Sequence, residues 1–433
     1  MIELMDVMLI QPPTPCPNSP HSSDSTLSTP PISLGYIASM LIKAGFSVDI
    51  VDMEISGMRG KDILKTIEEY APRMVGISTT TLTFKNALRV AAIAKTINPE
   101  ISTVLGGPHV TFMADEALSH PQVDYVVRGE GELTLTELAG HVLNGSGDRS
   151  NIRGLSMHNH TGGVIHNIER SLIRDLDMLP FPARHLLPLH LYSAPGLIMT
   201  GRGCDGRCIF CAARGISGNR YRLRSVKNVI SEIEKISTLL GLKLLFFGDD
   251  TFTAMPERTR ELCRELINKG LQMNWMCETR ADRIDRETLK LMADAGCAVA
   301  QFGAESGSQS ILNSVRKGIT IKALLEAVKT AQDVGIHPTC SFMFPHPEDT
   351  WETVKETKSL IKKLKAIGAG TAISLTTPFP GTYLSAHLSD LGLRLICDDT
   401  DQYNFSIPVI ETKNFDVWDI REIYTDLVML CLS

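Results

Sequence analysis

Three cysteines, Cys204, Cys208 and Cys211, stand in the run Gly201-Arg-Gly-Cys-Asp-Gly-Arg-Cys-Ile-Phe-Cys-Ala-Ala-Arg214. Three thiolates in one short loop can hold an iron–sulfur cluster while leaving one iron without a protein ligand. With 10 Cys in 433 residues, this spacing arises by chance in roughly one such sequence in 200. A structural zinc site would want a fourth ligand nearby, and unrelated buried thiols are the remaining alternative. The loop is also basic, with Arg202, Arg207, Arg214, Arg220, Arg222, Arg224 and Lys227 around it. These are either an ordinary solvated face or cations that stabilise an electron-rich group and steer an acidic partner toward it.

A reactive loop must hang from a rigid element, and the flanking sequence supplies one. From Gly196-Leu-Ile-Met-Thr200 onward, strand and amphipathic helix alternate six times, with later strands at 244–248, 274–277, 298–302, 338–344 and 372–376. On a β/α barrel the chemistry sits at the carboxyl ends of the strands. The cysteine loop follows the first strand. The others end in Asp249-Asp250, Glu278-Thr-Arg280, Glu305-Ser306, His346 and Thr377, polar groups that face one mouth.

Ahead of this barrel lies a second α/β pattern. Strands at 6–11, 47–52, 74–79, 102–106 and 123–128 alternate with helices at 33–44, 61–70, 84–97, 113–119 and 133–143. Five such units predict one doubly wound, flavodoxin- or Rossmann-like parallel sheet. Its ligands bind at the carboxyl ends of the strands, which places interest on Gln11-Pro-Pro13, Ser78-Thr-Thr-Thr81, Gly106-Gly-Pro-His109 and Arg128-Gly-Glu-Gly-Glu132. Residues 14–30, rich in Pro and Ser, read as a long loop at that edge. The predicted organisation is therefore 1–145, a connector at 146–192 with a hairpin near Thr161-Gly-Gly163, a partial (β/α)6 TIM-like barrel at 193–390, and a short tail at 391–433 of a strand or loop and one helix, which would leave the site open to a large substrate or partner.

Composition narrows the class. Hydrophobic residues at 43% and charged residues at 21% describe a globular protein, and a net charge of −6 argues against a general nucleic-acid binder. No apolar run is long enough for a membrane span, and the N-terminus lacks a basic region and cleavage site, so the expected location is cytoplasmic. The other seven cysteines (16, 263, 277, 297, 340, 397, 431) lie in apolar patterns, as buried free thiols do in a reducing compartment.

The cysteine loop, with Phe210 directly before its third thiol, is similar to the signature of the radical S-adenosylmethionine (SAM) superfamily. The loop set of the first domain, with Pro31-Ile-Ser-Leu-Gly-Tyr36, resembles the cobalamin-binding domain found upstream in one large subfamily. The resemblance implies a 4Fe-4S cluster on Cys204, Cys208 and Cys211, with SAM on the open iron. It also implies SAM contacts from Phe210, Asp249, Asp250, Glu278, Arg280, Glu305 and Ser306. Cobalamin contacts would come from Ser78, Thr79, Gly106, Gly107, His109, Gly129, Glu130 and Gly131. No Asp-x-His-x-x-Gly motif occurs, which implies cobalt without a protein histidine.

Two barrel elements bear on the substrate. Thr377-Pro-Phe-Pro-Gly-Thr382 fits the family's sixth-strand element, whereas Phe344-Pro-His-Pro-Glu-Asp-Thr350 departs from a Gly-x-Pro-Gly-Glu-Thr pattern and makes His346 a substrate-contact candidate. The implied activity is methylation of an unactivated carbon or phosphorus through a 5′-deoxyadenosyl radical and methylcobalamin. The alternative is a ring-forming or rearrangement enzyme of the bacteriochlorophyll type. A methylthiotransferase would need three cysteines in the first domain, where only Cys16 occurs; a non-enzymatic sensor would need no carboxylates at the barrel mouth. The implied partners are a small-molecule or natural-product substrate and a flavodoxin or ferredoxin donor.

Overall fold

The computed structural model describes residues 5–15, 27–241, 244–271 and 273–433. The chain forms two compact units, Met1–Pro195 and Gly196–Ser433. Of the long loop expected at 14–30, residues 16–26 lie outside the described residues.

Among its described residues the first unit carries seven strands: β1 (Val7–Gln11), β2 (Val48–Asp52), β3 (Met74–Ser78), β4 (Ser102–Gly106), β5 (Tyr125–Val127), β6 (Leu155–His158) and β7 (Val164–His166), in the order β2-β1-β3-β4-β5-β6-β7. The first five pair in parallel. Val7, Met8, Leu9 and Ile10 are all buried, as a parallel strand covered by helices on both faces requires. One face is sealed by helices Gly60–Tyr70 and Phe84–Ile97, which contribute Ile63, Ile67, Ala87, Ala91 and Ala94. Because β2 and β3 lie on opposite sides of β1, the chain switches direction there, and the crevice for a ligand opens at the carboxyl ends of β1 and β3.

Two features differ from the expected pattern. The segment 146–192 does not merely connect: its hairpin, β6 and β7, adds antiparallel to β5 and extends the sheet. The helix expected at 113–119 is present as Ala114–Leu118, and a further short helix that was not expected, Pro108–Phe112, precedes it across a break at Met113 with φ −120° and ψ 42°.

The second unit is a six-stranded parallel sheet built from β8 (Leu197–Ile198), β11 (Leu244–Phe247), β12 (Asn274–Thr279), β13 (Cys297–Glu305), β14 (His337–Phe344) and β15 (Gly370–Leu375), ordered β15-β14-β13-β12-β11-β8. Between β8 and β11 a short antiparallel pair forms, β9 (Gly201–Arg202) with β10 (Arg222–Leu223). Side chains alternate along these strands. Leu245, Phe247, Trp275, Cys277, Ala300, Phe302, Cys340 and Phe342 are buried against the helices, while Phe246, Met276, Gln301, Thr339 and Ser341 line the opposite face and stay partly exposed. That inner face is therefore not filled by the protein's own core, which a partial barrel with an internal site requires.

The tail is more structured than expected. β16 (Leu393–Leu395) and β17 (Ile410–Thr412) pair antiparallel, and helix Val417–Leu432 packs on edge strand β15, placing Ile420, Ile423 and Leu427 in the barrel core. The helix covers an otherwise unpaired edge.

Candidate active site

The cysteine loop starts from a bend that interrupts the strand expected at 196–200. Asp249, at the end of β11, is buried, and its carboxylate accepts from the backbone N–H groups of Thr200 (2.6 Å) and Gly201 (3.2 Å) and from the Thr200 hydroxyl. These bonds pull the chain out of the parallel sheet after Ile198. Arg258 donates to the Thr200 hydroxyl (2.9 Å) and to the carbonyls of Thr200 and Arg224. Arg224 donates to the Met199 carbonyl (2.9 Å) and to Glu232 at 2.5 Å, with both side chains of that ion pair buried. Asp249 thus anchors the root of the loop, and its oxygens are occupied by protein.

The basic stretch divides accordingly. Arg224 is buried in structure, and Arg222 donates to the Ser217 carbonyl, whereas Arg207, Arg214, Arg220 and Lys227 are exposed. The Arg224 side chain is therefore withdrawn from any steering role. Breaking a buried ion pair leaves an uncompensated charge costing about 3–5 kcal/mol, so Glu232→Gln is expected to lower unfolding free energy in denaturant by that amount. Arg214→Gln should change it by less than about 0.5 kcal/mol.

Within the loop, Gly203 has φ +101°, and a Cβ there would lie 2.3 Å from the Arg220 carbonyl oxygen. Ile209 is buried among Ile311, Val315 and Leu384; its N–H donates to the Val315 carbonyl (3.1 Å) and its carbonyl accepts from Leu384 (2.8 Å). The three cysteines line a cavity of about 570 Å³ together with Arg207, Arg214, Arg316 and Tyr383. Gly206 fits between two of them: a Cβ there would be 3.2 Å from Cys204 Sγ and 3.9 Å from Cys208 Sγ. Among the described residues no three His, Cys, Asp or Glu side chains are arranged around a single ion. The thiols instead share the lining of one open cavity, with no carboxylate or imidazole among the lining residues. Burial pushes the Cys211 thiol up to about 11, so loading metal on this loop must release protons.

The residues expected around SAM separate into two groups. Asp250 and Glu278 are reached by solvent yet ringed by protein, on the wall of the mouth. Burial raises both carboxyls, and Asp250 and Glu305 raise Glu278 further by like charge. No protein cation pairs with either among the described residues. Two like charges at one mouth, neither in an ion pair and with Lys317 only partly offsetting the burial of Glu278, suit a ligand that brings positive charge, as the ammonium and sulfonium of SAM do.

The other expected residues are committed to the protein. Arg280 grips Asp282 (2.9 and 3.0 Å) and the Lys317 carbonyl (2.9 Å). Glu305 pairs with Lys317 at 2.6 Å. Ser306 is buried against Thr357 (3.3 Å) and accepts from the Ser308 N–H (3.2 Å). His346 is buried too, with Nε2 3.3 Å from the Glu305 carbonyl and its ring 6.0 Å from half-buried Phe210; its side chain is not open to a substrate.

In the first unit the expected loops do converge at the carboxyl ends of β3 and β4. The Thr79 N–H and hydroxyl both donate to the Gly106 carbonyl (2.7 Å each), and the His109 N–H donates to the Thr79 carbonyl (3.2 Å). Thr79 is thereby internal. His109 is buried, its ring tilted against that of Phe84 with centroids 4.3 Å apart, and its Nδ1 is 3.1 Å from the Thr81 hydroxyl. Burial depresses its imidazole to about 4, so at neutral pH it is an uncharged packing element. The Glu130 carboxylate accepts from the Ile173 N–H (2.7 Å), and the Gly129 N–H donates to Thr111 (3.0 Å). Ser78, Gly106, Gly107 and Gly131 remain partly exposed at this edge, where backbone groups and a small hydroxyl can meet a flat ligand closely.

Sequence reasoning missed Lys317, Arg258, Arg316 and Tyr383. All lie outside the strand-end segments that the pattern directed attention to. Arg316-Lys317-Gly318 follows a short helix, and nothing in its composition marks one of the two cations as buried; Arg316 stands exposed over the Tyr383 ring at 4.5 Å.

Comparison with known proteins bears on both units. The family model for the B12 binding domain matches residues 23–139, and that for the radical SAM superfamily matches residues 198–361. An uncharacterized methyltransferase of Pyrococcus horikoshii is 36% identical over 419 residues, 96% of this chain and 89% of that protein. The anaerobic magnesium-protoporphyrin IX monomethyl ester cyclase of Rubrivivax gelatinosus is 29% identical over 400 residues, 89% of this chain and 71% of that protein. Among solved structures, the radical SAM methyltransferase TsrM of Kitasatospora setae, determined with cobalamin and a 4Fe-4S cluster, superimposes with a TM-score of 0.76 at 20% identity, over 92% of this chain and 78% of that one. Among the described residues no helix is long and apolar enough to cross a membrane.

Proposed function

From the premise that this chain belongs to the cobalamin-dependent radical SAM family, we propose that it methylates an unactivated carbon of a small molecule. The observation that carries the reading is the pairing, in one unit, of a three-cysteine cavity with two carboxylates that burial and mutual repulsion raise. When bound, the cluster, SAM and cobalamin supply a radical that removes an inert hydrogen and a carrier for the methyl group.

The chain's own residues bind and orient. Cys204, Cys208 and Cys211 hold the cluster, and Ile209 fixes their loop against the barrel. Asp250 and Glu278 take the positive end of SAM. Phe210 supplies an aromatic wall beside the third thiol. Ser78 and the Gly106-Gly107 backbone form the floor for cobalamin. An acidic one-electron carrier, a flavodoxin or ferredoxin, meets the exposed Arg207, Arg214 and Arg316 at the cavity rim. Such steering weakens as salt screens it.

The match to the Rubrivivax cyclase favours a second reading, ring formation on the same scaffold. One experiment separates them. Holoenzyme reconstituted without oxygen is given methyl-labelled SAM, a pool of candidate small-molecule acceptors and either a flavodoxin or a chemical reductant, and the products of SAM and the acceptors that gain or lose mass are quantified. Methyl transfer yields S-adenosylhomocysteine together with 5′-deoxyadenosine. 5′-Deoxyadenosine alone supports the cyclase reading, and neither product overturns both. Turnover with flavodoxin should fall with ionic strength while turnover with the chemical reductant should not; equal salt dependence would remove the docking role of the arginines.

A further inference from the structure

Strand register brings the start of the cysteine loop against the residue that ends it. β9 and β10 pair antiparallel with Arg202 opposite Arg222 and Gly201 opposite Leu223, so one step further places Tyr221 across from Gly203, beside Cys204. The neck of the loop is closed at that point. The Cys204 N–H donates to the Gly218 carbonyl (3.2 Å), and the lack of a side chain on Gly203 lets its backbone come close to the Arg220 carbonyl. The three cysteines follow within the loop, and Tyr221 returns to the first of them.

Two donors converge on the Cys204 sulfur. The Gly206 N–H lies 3.4 Å from Sγ, and the Tyr221 hydroxyl lies 3.9 Å from it, the long end of reach for a sulfur acceptor. The same hydroxyl is 3.3 Å from Asp205 Oδ1, and Thr251 is a further hydrogen-bond partner of that oxygen. Arg283 Nη2 grips the other Asp205 oxygen at 2.6 Å, so the carboxylate divides its charge between a guanidinium and the phenol. A phenol has one hydrogen to give. The carboxylate and the sulfur therefore compete for it.

We infer that Tyr221 is a positioning residue of the cluster site: its hydrogen bond is divided between Asp205 and the Cys204 sulfur and turns to the sulfur when the cluster is reduced, which raises the reduction potential. The inference rests on the reading that the three cysteines hold that cluster. One electron from the carrier adds one negative charge, part of which falls on the ligand sulfurs, and donors aimed at sulfur stabilise it. The hydroxyl only rotates; no bond to hydrogen breaks. Asp205 opposes the effect by holding the hydroxyl on itself.

The test is a redox titration of reconstituted protein without SAM, read from the reduced cluster's paramagnetic signal, which gives the potential of whatever fraction has loaded iron. Tyr221→Phe should lower the equilibrium constant for reduction at least threefold, about 28 mV toward negative at about 59 mV per tenfold for a one-electron couple. Replacing Tyr221 by 3-fluorotyrosine, a more acidic phenol of nearly the same shape, should shift it the other way, and reads the same bond should Tyr221→Phe load no iron. In an Asp205→Asn background, whose neutral amide competes less for the hydroxyl, the Tyr221→Phe shift should widen. Bound iron with unmoved potentials, shifts of one sign from phenylalanine and fluorotyrosine, or an equal Tyr221→Phe shift with and without Asp205→Asn overturns the inference while leaving the cluster reading intact. A parent protein that takes up no cluster overturns both.

Discussion

Alanine at Cys204, Cys208 or Cys211 is expected to take reconstituted iron from about four per chain to near zero and to abolish 5′-deoxyadenosine formation. Two thiolates cannot retain a cluster that three hold with one iron already open. The fold should survive, because the loop is fixed by Ile209 bonding to Val315 and Leu384 and by Asp249 at its root, not by sulfur. The matched control is Cys340→Ala. Cys340 is a fully buried thiol of the barrel core, pushed up to about 12 by burial. Its loss should cost about 1 kcal/mol of stability as a small core truncation and leave iron content unchanged. Equal iron loss in Cys340→Ala would show that the assay reports misfolding, and iron retained in the loop variants would remove the cluster assignment.

Gly107→Ala should be the most damaging single change in the first unit. Gly107 has φ +116°, and a Cβ would meet the Thr79 carbonyl oxygen at 2.5 Å and its nitrogen at 2.9 Å. Both are backbone atoms of a crossing tied by three hydrogen bonds to Gly106 and His109, so neither can retreat. Overpacking and backbone strain together should cost roughly 3 kcal/mol or more, and retention of cobalamin, read from its visible absorbance after desalting, should be lost. Gly129→Ala is the comparison: φ is +73° but nothing lies within 4 Å of its Cβ position, so only the left-handed penalty of about 1–2 kcal/mol applies. Equal cobalamin retention in the two variants would show that the β3–β4 edge is not the cofactor floor.

What the sequence revealed depended on whether the signal was local. Helix Phe84–Ile97 and strand Ser102–Gly106 fall where they are expected, because strong periodicity and β-branched runs are written within a dozen residues. The hairpin of β6 and β7 was visible as a turn, but not its docking on β5, which is a long-range pairing. The same limit governs the site. The cysteines and the mouth carboxylates were legible as motif and strand ends. Which of Asp249 and Asp250 faces the mouth was not, since adjacent residues differ only in the face they present. The Thr200 bend decides it, by taking the Asp249 carboxylate. Lys317 was hidden for a related reason: only the bulge at Gly303 and the left-handed Glu305 bring its partner to it.

The anchoring of Thr200 by Asp249 and Arg258, beside the Arg224–Glu232 pair, bears on assembly and repair in the cell. Every contact in that anchor is between protein groups, so the root of the cysteine loop is fixed without any bond to sulfur. A zinc finger folds only around its metal; with the cluster ligands proposed above, iron would instead enter a loop whose root the protein has already set. Loss of the cluster would then leave the fold in place, and reloading would need no refolding.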